Sequence, residues 1–157
     1  MPGQHHYSAT IQWTGNKGTG TSHYRDYERS HQITIAGKAD IAGSSDPAFR
    51  GDKSRHNPED LLVSSLAACH MLWYLHLCSE AGVVVLDYTD NASGTMAETA
   101  NGGGHFTEVT LNPVVIVAED SMIEKAIALH EKANELCFIA NSVNFPVKHL
   151  GSVSSVQ

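Results

Sequence analysis

The sequence has few cysteines, few cations and no long apolar run, and each shortage excludes a class of protein. Its 157 residues include three cysteines, an odd number with no CxxC pair, which excludes a disulfide-rich scaffold. Ten Lys and Arg residues face seventeen Asp and Glu residues, so the net charge of −7 provides no cationic surface for nucleic acid. No run reaches the roughly 18 apolar residues of a membrane span, so no membrane contact is expected.

The composition present is that of one globular domain, predicted over residues 1–157. Apolar residues make up 41% of the chain, an ordinary share for a folded protein. The N-terminal segment lacks the apolar core typical of a signal peptide, and free thiols persist in the cytosol. We therefore expect a cytoplasmic protein.

The first third of the chain has the pattern of β-strands. Residues 7–13 alternate apolar and polar side chains, which predicts a half-buried strand. The polar stretch 19–29 could return as a second strand, and residues 32–41 predict a third. Residues 43–56 show no period and form a loop of about fourteen residues, a length that is usually functional or disordered.

A long helix is predicted from Asn57 to about residue 81. Asn57 is a good N-cap, Pro58 suits the first helical position, and the acidic residues 59 and 60 complement the helix dipole. Gly82 is typical of the residue that ends a helix. The interior is apolar on nearly every side, which indicates a central helix.

Strands and a second helix follow. Residues 83–96 and 105–117 predict two strands around the glycine turn at 101–104, and residues 145–156 predict the last strand. Between them, Asp120 or Ser121 caps a helix with one core-facing stripe. That stripe comprises Ile123, Ile127, His130, Ala133 or Asn134, and Cys137. The order βββ-α-ββ-α-β predicts an α+β fold with a mainly antiparallel sheet.

Cys69, about twelve residues into the first helix, has two interpretations. A cysteine there often packs as a small apolar side chain. A reactive cysteine must instead be a thiolate, and the helix dipole is too weak beyond the first turn to stabilise one. A cation must then come from elsewhere. The preceding loop contains Arg50, Lys53 and Arg55, and Glu59 could hold an arginine by a bidentate pair.

Cys137 lies on the core-facing stripe of the second helix, so the two thiols could meet inside the fold. This placement fits a peroxidatic and a resolving cysteine. Cys78 lies nine residues after Cys69, on the opposite side of the helix, and is predicted to pack in the core. The ten histidines form no HExxH, HxH or zinc-spaced cluster, so neither a metal nor another cofactor is expected.

These motifs resemble those of the OsmC/Ohr family, the osmotically inducible and organic hydroperoxide resistance proteins. The strongest match is Asn57-Pro58-Glu59-Asp60-Leu61-Leu62 followed by Ala67-Ala68-Cys69-His70-Met71. The second landmark is a cysteine late in the second long helix, where Cys137 stands in HEKANELCFIANS. The order of elements is also similar, so the resemblance covers nearly the whole chain.

The resemblance implies roles for individual residues. Cys69 resembles the peroxidatic thiol, Cys137 the resolving thiol, and Glu59 the acid that orients an arginine. Arg50 is our candidate for that arginine, and Arg55 is its rival.

The family also offers another source of the arginine. In Ohr-type members it comes from an earlier segment, where Arg25 is the nearest option. The chain departs from the family at Phe138, since most members have Cys-Pro where this one has Cys137-Phe138. This departure indicates a divergent subgroup closer to OsmC than to Ohr.

The family fold implies an intertwined homodimer with its sheet wrapped around two long central helices. The implied reaction reduces an organic hydroperoxide through a Cys69 sulfenic acid and a Cys69–Cys137 disulfide. A dithiol then reduces this disulfide, and the resemblance implies a lipoylated protein as its source. Candidates to line an apolar substrate pocket are Phe49, Met71, Trp73 and Phe138. The alternative is a non-catalytic dimer of this fold that binds a small apolar ligand or senses oxidants.

Overall fold

The computed structural model describes residues 2–157, which form two compact units. The N-terminal unit extends to Leu61, and the C-terminal unit runs from Leu62 to Gln157. Both clusters of buried apolar side chains in the described chain consist of residues of the C-terminal unit. That residues 1–157 make up one domain stays a prediction.

The N-terminal unit contains a three-stranded antiparallel sheet in the order β1-β2-β3. Its strands are β1 (Thr10–Trp13), β2 (His31–Thr34) and β3 (Ile41–Gly43). A strand at 19–29 was wrongly expected, because this polar stretch folds into turns and bends. The strand predicted at 32–41 is two strands, since Gly37, with φ +78°, takes the left-handed conformation of a tight turn.

The first strand also differs from expectation in its burial. All four residues of β1 are exposed, where alternation predicted a half-buried strand. The alternating pattern is present, but the buried apolar clusters are built by the other unit. The loop after β3 contains a short 3-10 helix at Pro47–Phe49.

Helix α1 spans Pro58–Glu80 and has the predicted caps. The Asn57 side chain accepts a hydrogen bond from the Asp60 amide at 2.8 Å, and the Asp60 carboxylate accepts one from the Asn57 amide at 3.1 Å. This reciprocal pair is a capping box. At the other end Gly82 has φ +75°, and the Val83 amide donates to the Cys78 carbonyl at 2.9 Å. The chain therefore leaves the helix through a Schellman turn.

The C-terminal unit contains two three-stranded sheets, ordered β4-β7-β9 and β5-β6-β8. Their strands are β4 (Val85–Asp90), β5 (Ser93–Glu98), β6 (Gly104–Leu111), β7 (Pro113–Val117), β8 (Val147–His149) and β9 (Ser152–Ser155). Each of the three long strands predicted here is therefore two strands, one in each sheet. At the β6–β7 break, Pro113 has no amide proton to continue the ladder, and the Asp90 carboxylate accepts the Asn112 amide at 2.7 Å.

Helix α2 spans Ile123–Leu136 and follows a 3-10 turn at Asp120–Met122. Its buried residues are Ala126, His130 and Ala133. Ile127, predicted to face the core, is 56% exposed, so the buried stripe is rotated from the predicted one. Cys137 is the first residue after the helix rather than a residue within it, and its backbone is extended.

The buried face of α1 consists of residues spaced four apart, Leu66, His70, Tyr74 and Cys78. Over its best 18 residues the helix reaches a mean hydropathy of 1.5, enough to cross a membrane by length and composition. Core helices pass the same test, and three of its buried residues, Leu66, Tyr74 and Cys78, belong to the two apolar clusters. Four of the six strand pairs in residues 2–157 are antiparallel, so the predicted α+β class is confirmed.

Candidate functional site

Cys69 and Cys137 lie side by side in the C-terminal unit. Cys69 is on α1 and is half-buried, whereas Cys137 is buried at the end of α2. Cys69 is close enough to Cys137 to raise the pKa of the Cys137 thiol, and both thiols are free. Two free thiols in contact can form a disulfide without a large movement of the chain.

The environment of Cys137 keeps its thiol protonated. Burial, followed by the hydrogen bond with Cys69, raises the pKa of Cys137 to about 11. The Ala140 amide donates to the Cys137 sulfur at 3.4 Å, which offsets part of this rise. Cys137 is therefore a poor first nucleophile at neutral pH, and Cys69 is the thiol that a reagent in solvent can reach.

The turn that carries Cys137 is held by local hydrogen bonds. The Asn141 amide donates to the Cys137 carbonyl at 3.0 Å, and the Ser142 hydroxyl donates to the Phe138 carbonyl at 2.7 Å. A short 3-10 helix follows at Ala140–Ser142. These bonds fix the turn in a chain that has no proline after the cysteine.

Aromatic side chains lie beside the thiol pair. Phe138 is 66% exposed and meets Trp73 edge to face, with ring centroids 5.5 Å apart. Trp73 is one helical turn after Cys69 and also lines a shallow pocket with Leu72 and His76. Of the four residues predicted to line a substrate pocket, Trp73 and Phe138 are in contact with each other. Phe49 lines a different pocket, in the N-terminal unit.

Cys78 has different surroundings. It is fully buried in the larger apolar cluster, on the same helix as Cys69. Burial raises the pKa of its thiol, and its hydrogen bond with Tyr74 lowers it by a smaller amount. The geometry fits the predicted packing role.

A pocket of about 330 Å³ lies within the N-terminal unit. Its walls include Trp13, Tyr27, Phe49 and three charged residues, Arg29, Asp46 and Glu59. A pocket of this size, with apolar walls and few polar groups, is typical of a small-molecule site.

Arg29 is the cation of this pocket. Its guanidinium stacks on the rings of Tyr27 and Tyr24, at 3.9 and 4.5 Å from their centroids. It donates to the carbonyls of the same two residues at 2.6 and 2.7 Å. These contacts fix the guanidinium plane, and its remaining donors are available to an anionic group. Arg29 was not among the arginines predicted from the sequence. Its spacing from Tyr24 and Tyr27 is the sequence feature that could have indicated it.

The arginines selected from the sequence lie elsewhere in this unit. Arg50 is exposed and has φ +64° at the end of the 3-10 helix. Arg55 donates to the His31 carbonyl at 3.1 Å and pairs with Asp52, so it ties the loop to the sheet. Arg25 is exposed. Within the part of the chain described, no three His, Cys, Asp or Glu residues are placed to hold a metal ion.

Comparison with known families finds one match. The family model described as OsmC-like protein matches residues 51–149, a span that includes both thiols and Glu59. Curated proteins yield no match to this sequence.

Solved structures share the fold. An OsmC-like protein of unknown function from Vibrio cholerae is 28% identical, with a TM-score of 0.84 over 94% of this chain and 99% of that one. An organic hydroperoxide resistance protein from Elizabethkingia anophelis is 22% identical, with a TM-score of 0.71 over 99% of each chain. One from Legionella pneumophila is 18% identical, with a TM-score of 0.67 over 98% and 99%.

Proposed function

Because the chain belongs to the OsmC-like protein family, we propose that it is a thiol-dependent peroxidase that reduces organic hydroperoxides. The observation that carries the proposal is the contact between Cys69 and Cys137. A half-buried thiol beside a buried, protonated one is the arrangement that a peroxidatic and a resolving cysteine require. Two of the matched structures are named as organic hydroperoxide resistance proteins, which supports the choice of substrate class.

The proposed reaction has three steps. The Cys69 thiolate attacks the terminal peroxide oxygen and breaks the O–O bond; Cys69 becomes a sulfenic acid, and the alkoxide takes from solvent the proton that the thiol had released and leaves as the alcohol. The Cys137 sulfur then attacks the Cys69 sulfur, which forms the disulfide and releases water. A dithiol reductant reduces this disulfide by two exchange steps and is itself oxidised to a disulfide.

A peroxidatic thiolate at Cys69 needs a cation, and we propose that an arginine supplies it. Arg29 lines one pocket of the N-terminal unit with Glu59, the acid expected to orient that arginine. Arg50 is exposed, and Arg55 is engaged by a backbone carbonyl and by Asp52. We propose the order Arg29, Arg50, Arg55 for effects on Cys69 reactivity.

The proposed active form is a homodimer. The solvent-facing stripe of α1 consists of Ser64, Ala68, Leu72 and His76, and Leu72 is 63% exposed. Small and apolar side chains on such a stripe allow a second helix to approach closely. Sedimentation at micromolar concentration should give twice the mass of the chain, whereas a folded monomer would contradict the dimer.

Turnover kinetics test the enzymatic proposal. We expect consumption of cumene hydroperoxide to depend on a dithiol such as dihydrolipoamide, and Cys69→Ser to abolish it. Cys137→Ser should allow one oxidation of Cys69 per chain without turnover. Cys78→Ser is the matched control and should retain turnover. Equal activity in all three variants would refute the proposal.

A second candidate function is favoured by the pocket around Arg29, which could bind a small ligand without turnover. Titration of Cys137→Ser with an apolar ligand separates the two functions. A binding protein should keep its affinity and show no dithiol-dependent consumption of peroxide.

A further inference from the structure

Two histidines connect α1 and α2 inside the C-terminal unit. His70 Nε2 and His130 Nδ1 are 3.0 Å apart, and both side chains are buried, His70 fully and His130 to 6% exposure. The rings are nearly parallel, with an angle of 4° between their planes. Neither imidazole takes part in the reaction proposed for the two thiols.

This hydrogen bond is one of three polar contacts between α1 and the segment formed by α2 and Cys137, the residue that follows it. The three contacts join Cys69 to Cys137, His70 to His130, and the Tyr74 hydroxyl to the Ala126 carbonyl at 2.8 Å. Residue numbers rise along one segment as they fall along the other, so the two segments are antiparallel. His70 directly follows Cys69, and His130 is a buried residue of α2, seven residues before Cys137. The imidazole bond is therefore the side-chain link next to the thiols.

The two imidazoles are held neutral by what surrounds them. His70 Nδ1 and His130 Nε2 are buried and have no hydrogen-bond partner among the described residues. With one proton per ring, one of these nitrogens is a lone pair and the other an N–H group. An added proton would place an unpaired charge in the core, and a second one would also break the bond between the rings.

The groups that face the pair come from three elements. From α1, Tyr74 stacks on His130 with centroids 3.9 Å apart. From β8, His149 lies over His70 and His130 at 5.7 and 6.1 Å. From α2, Glu131 is 3.2 Å from His149 Nε2 and is exposed, so the carboxylate contacts the outer ring and not the buried pair.

We propose that His70 and His130 are positioning residues that hold Cys137 against Cys69, and that protonation of the pair in acid releases this hold. The bond fixes the α1–α2 spacing next to the thiols. When this hydrogen bond breaks, no side-chain bond beside the thiols holds α1 and α2 at that spacing. The inference rests on the proposed function only in treating Cys69 and Cys137 as a redox pair.

The test measures how readily the two thiols close, without any peroxide. In glutathione buffer, the reduced chain and oxidised glutathione convert to the Cys69–Cys137 disulfide and two reduced glutathiones. The equilibrium constant, approached from both sides, gives the effective concentration of one thiol at the other. Absence of peroxidase activity therefore leaves this test intact.

Two kinds of substitution separate positioning from packing. His70→Leu and His130→Leu keep the volume and remove the bond, and should lower the effective concentration about tenfold, the equivalent of one buried hydrogen bond. His70→Gln and His130→Asn place an amide where the bonding nitrogen lies and should stay near the wild-type value. His149→Gln, which keeps the bond between the helices, is the control and should show no change.

The pH profile supplies the second readout and does not need the leucine variants to fold. Between pH 7 and pH 4 the effective concentration in the wild type should fall relative to His70→Gln, because only the wild type gains protons on both rings. The ratio of the two effective concentrations at each pH removes the contribution of thiol titration, because both proteins contain the same thiols. Parallel profiles would overturn the proposal, and so would leucine variants that lose thermal stability but keep the wild-type effective concentration.

Discussion

Cys69 and Cys78 lie on the same helix, nine residues apart, yet their surroundings differ. Cys69 is half-buried and contacts a second thiol, whereas Cys78 is fully buried in an apolar cluster beside a phenol. Depth alone would not separate redox from packing roles, because Cys137 is as buried as Cys78. Cys69 differs from Cys78 in two ways that matter for redox chemistry: it has a neighbouring thiol, and solvent can reach it.

The largest expected effect comes from removing the thiol partner. Cys137→Ser should lower dithiol-dependent turnover of cumene hydroperoxide by about a hundredfold or more, since the sulfenic acid then has no neighbouring thiol. Cys78→Ser should change turnover by less than about threefold. Initial rates over a range of peroxide concentrations measure both, and equal losses in the two variants would break the distinction.

The next effect concerns the cation. We propose that Arg29→Ala slows iodoacetamide alkylation of Cys69 at neutral pH about tenfold, because a guanidinium that supports Cys69 favours its thiolate. Arg50→Ala should slow it less and Arg55→Ala least. Labelling followed by mass spectrometry gives the rate for each cysteine, with Cys78 as the internal reference. An unchanged rate in Arg29→Ala and a slowed one in Arg50→Ala would return the role to Arg50.

Acid should weaken the helix pair that carries both thiols. Burial lowers the pKa of His70 and of His130 to about 4, from about 6.5 in an unfolded chain. The unfolded state thus binds more protons between these values, so stability is full above pH 6.5 and falls as the pH drops to 4. Thermal unfolding should show this loss in the wild type and a smaller one in His70→Gln. A midpoint that does not change from pH 7 to pH 4 would contradict it.

The smallest effect is on packing. Cys78→Ala should lower the free energy of unfolding by about 1–2 kcal/mol, since it removes a buried sulfur and its contact with Tyr74. Urea denaturation measures this loss, with Cys69→Ala as the half-buried comparison and a smaller expected cost. A larger loss of unfolding free energy in Cys69→Ala than in Cys78→Ala would contradict this, and would indicate a packing role for Cys69.

Much of the fold follows from local sequence. The limits of α1 come from the capping box at Asn57 and the left-handed turn at Gly82, both properties of a few neighbouring residues. The strands predicted for the C-terminal unit lie in the correct regions of the chain but are too long. Their breaks depend on which sheet each half joins, and alternation within one strand carries no information about that choice.

The candidate site was predictable only in part. Cys69, Cys137 and Glu59 stand in motifs, so the resemblance identified them, whereas the arginine depends on how a loop folds. Arg29 faces the pocket with Glu59 because two tyrosine rings and two carbonyls hold it there, contacts that no spacing rule specifies. The bond between His70 and His130 joins residues sixty positions apart and depends on how the two helices cross.

The most direct test of the account is a thiol map after one equivalent of cumene hydroperoxide. The reduced protein is treated, alkylated, digested and analysed by mass spectrometry under non-reducing conditions. We predict a peptide pair joined by Cys69 and Cys137, with Cys78 as a free thiol. Free Cys69 and Cys137, or a disulfide that includes Cys78, would contradict it.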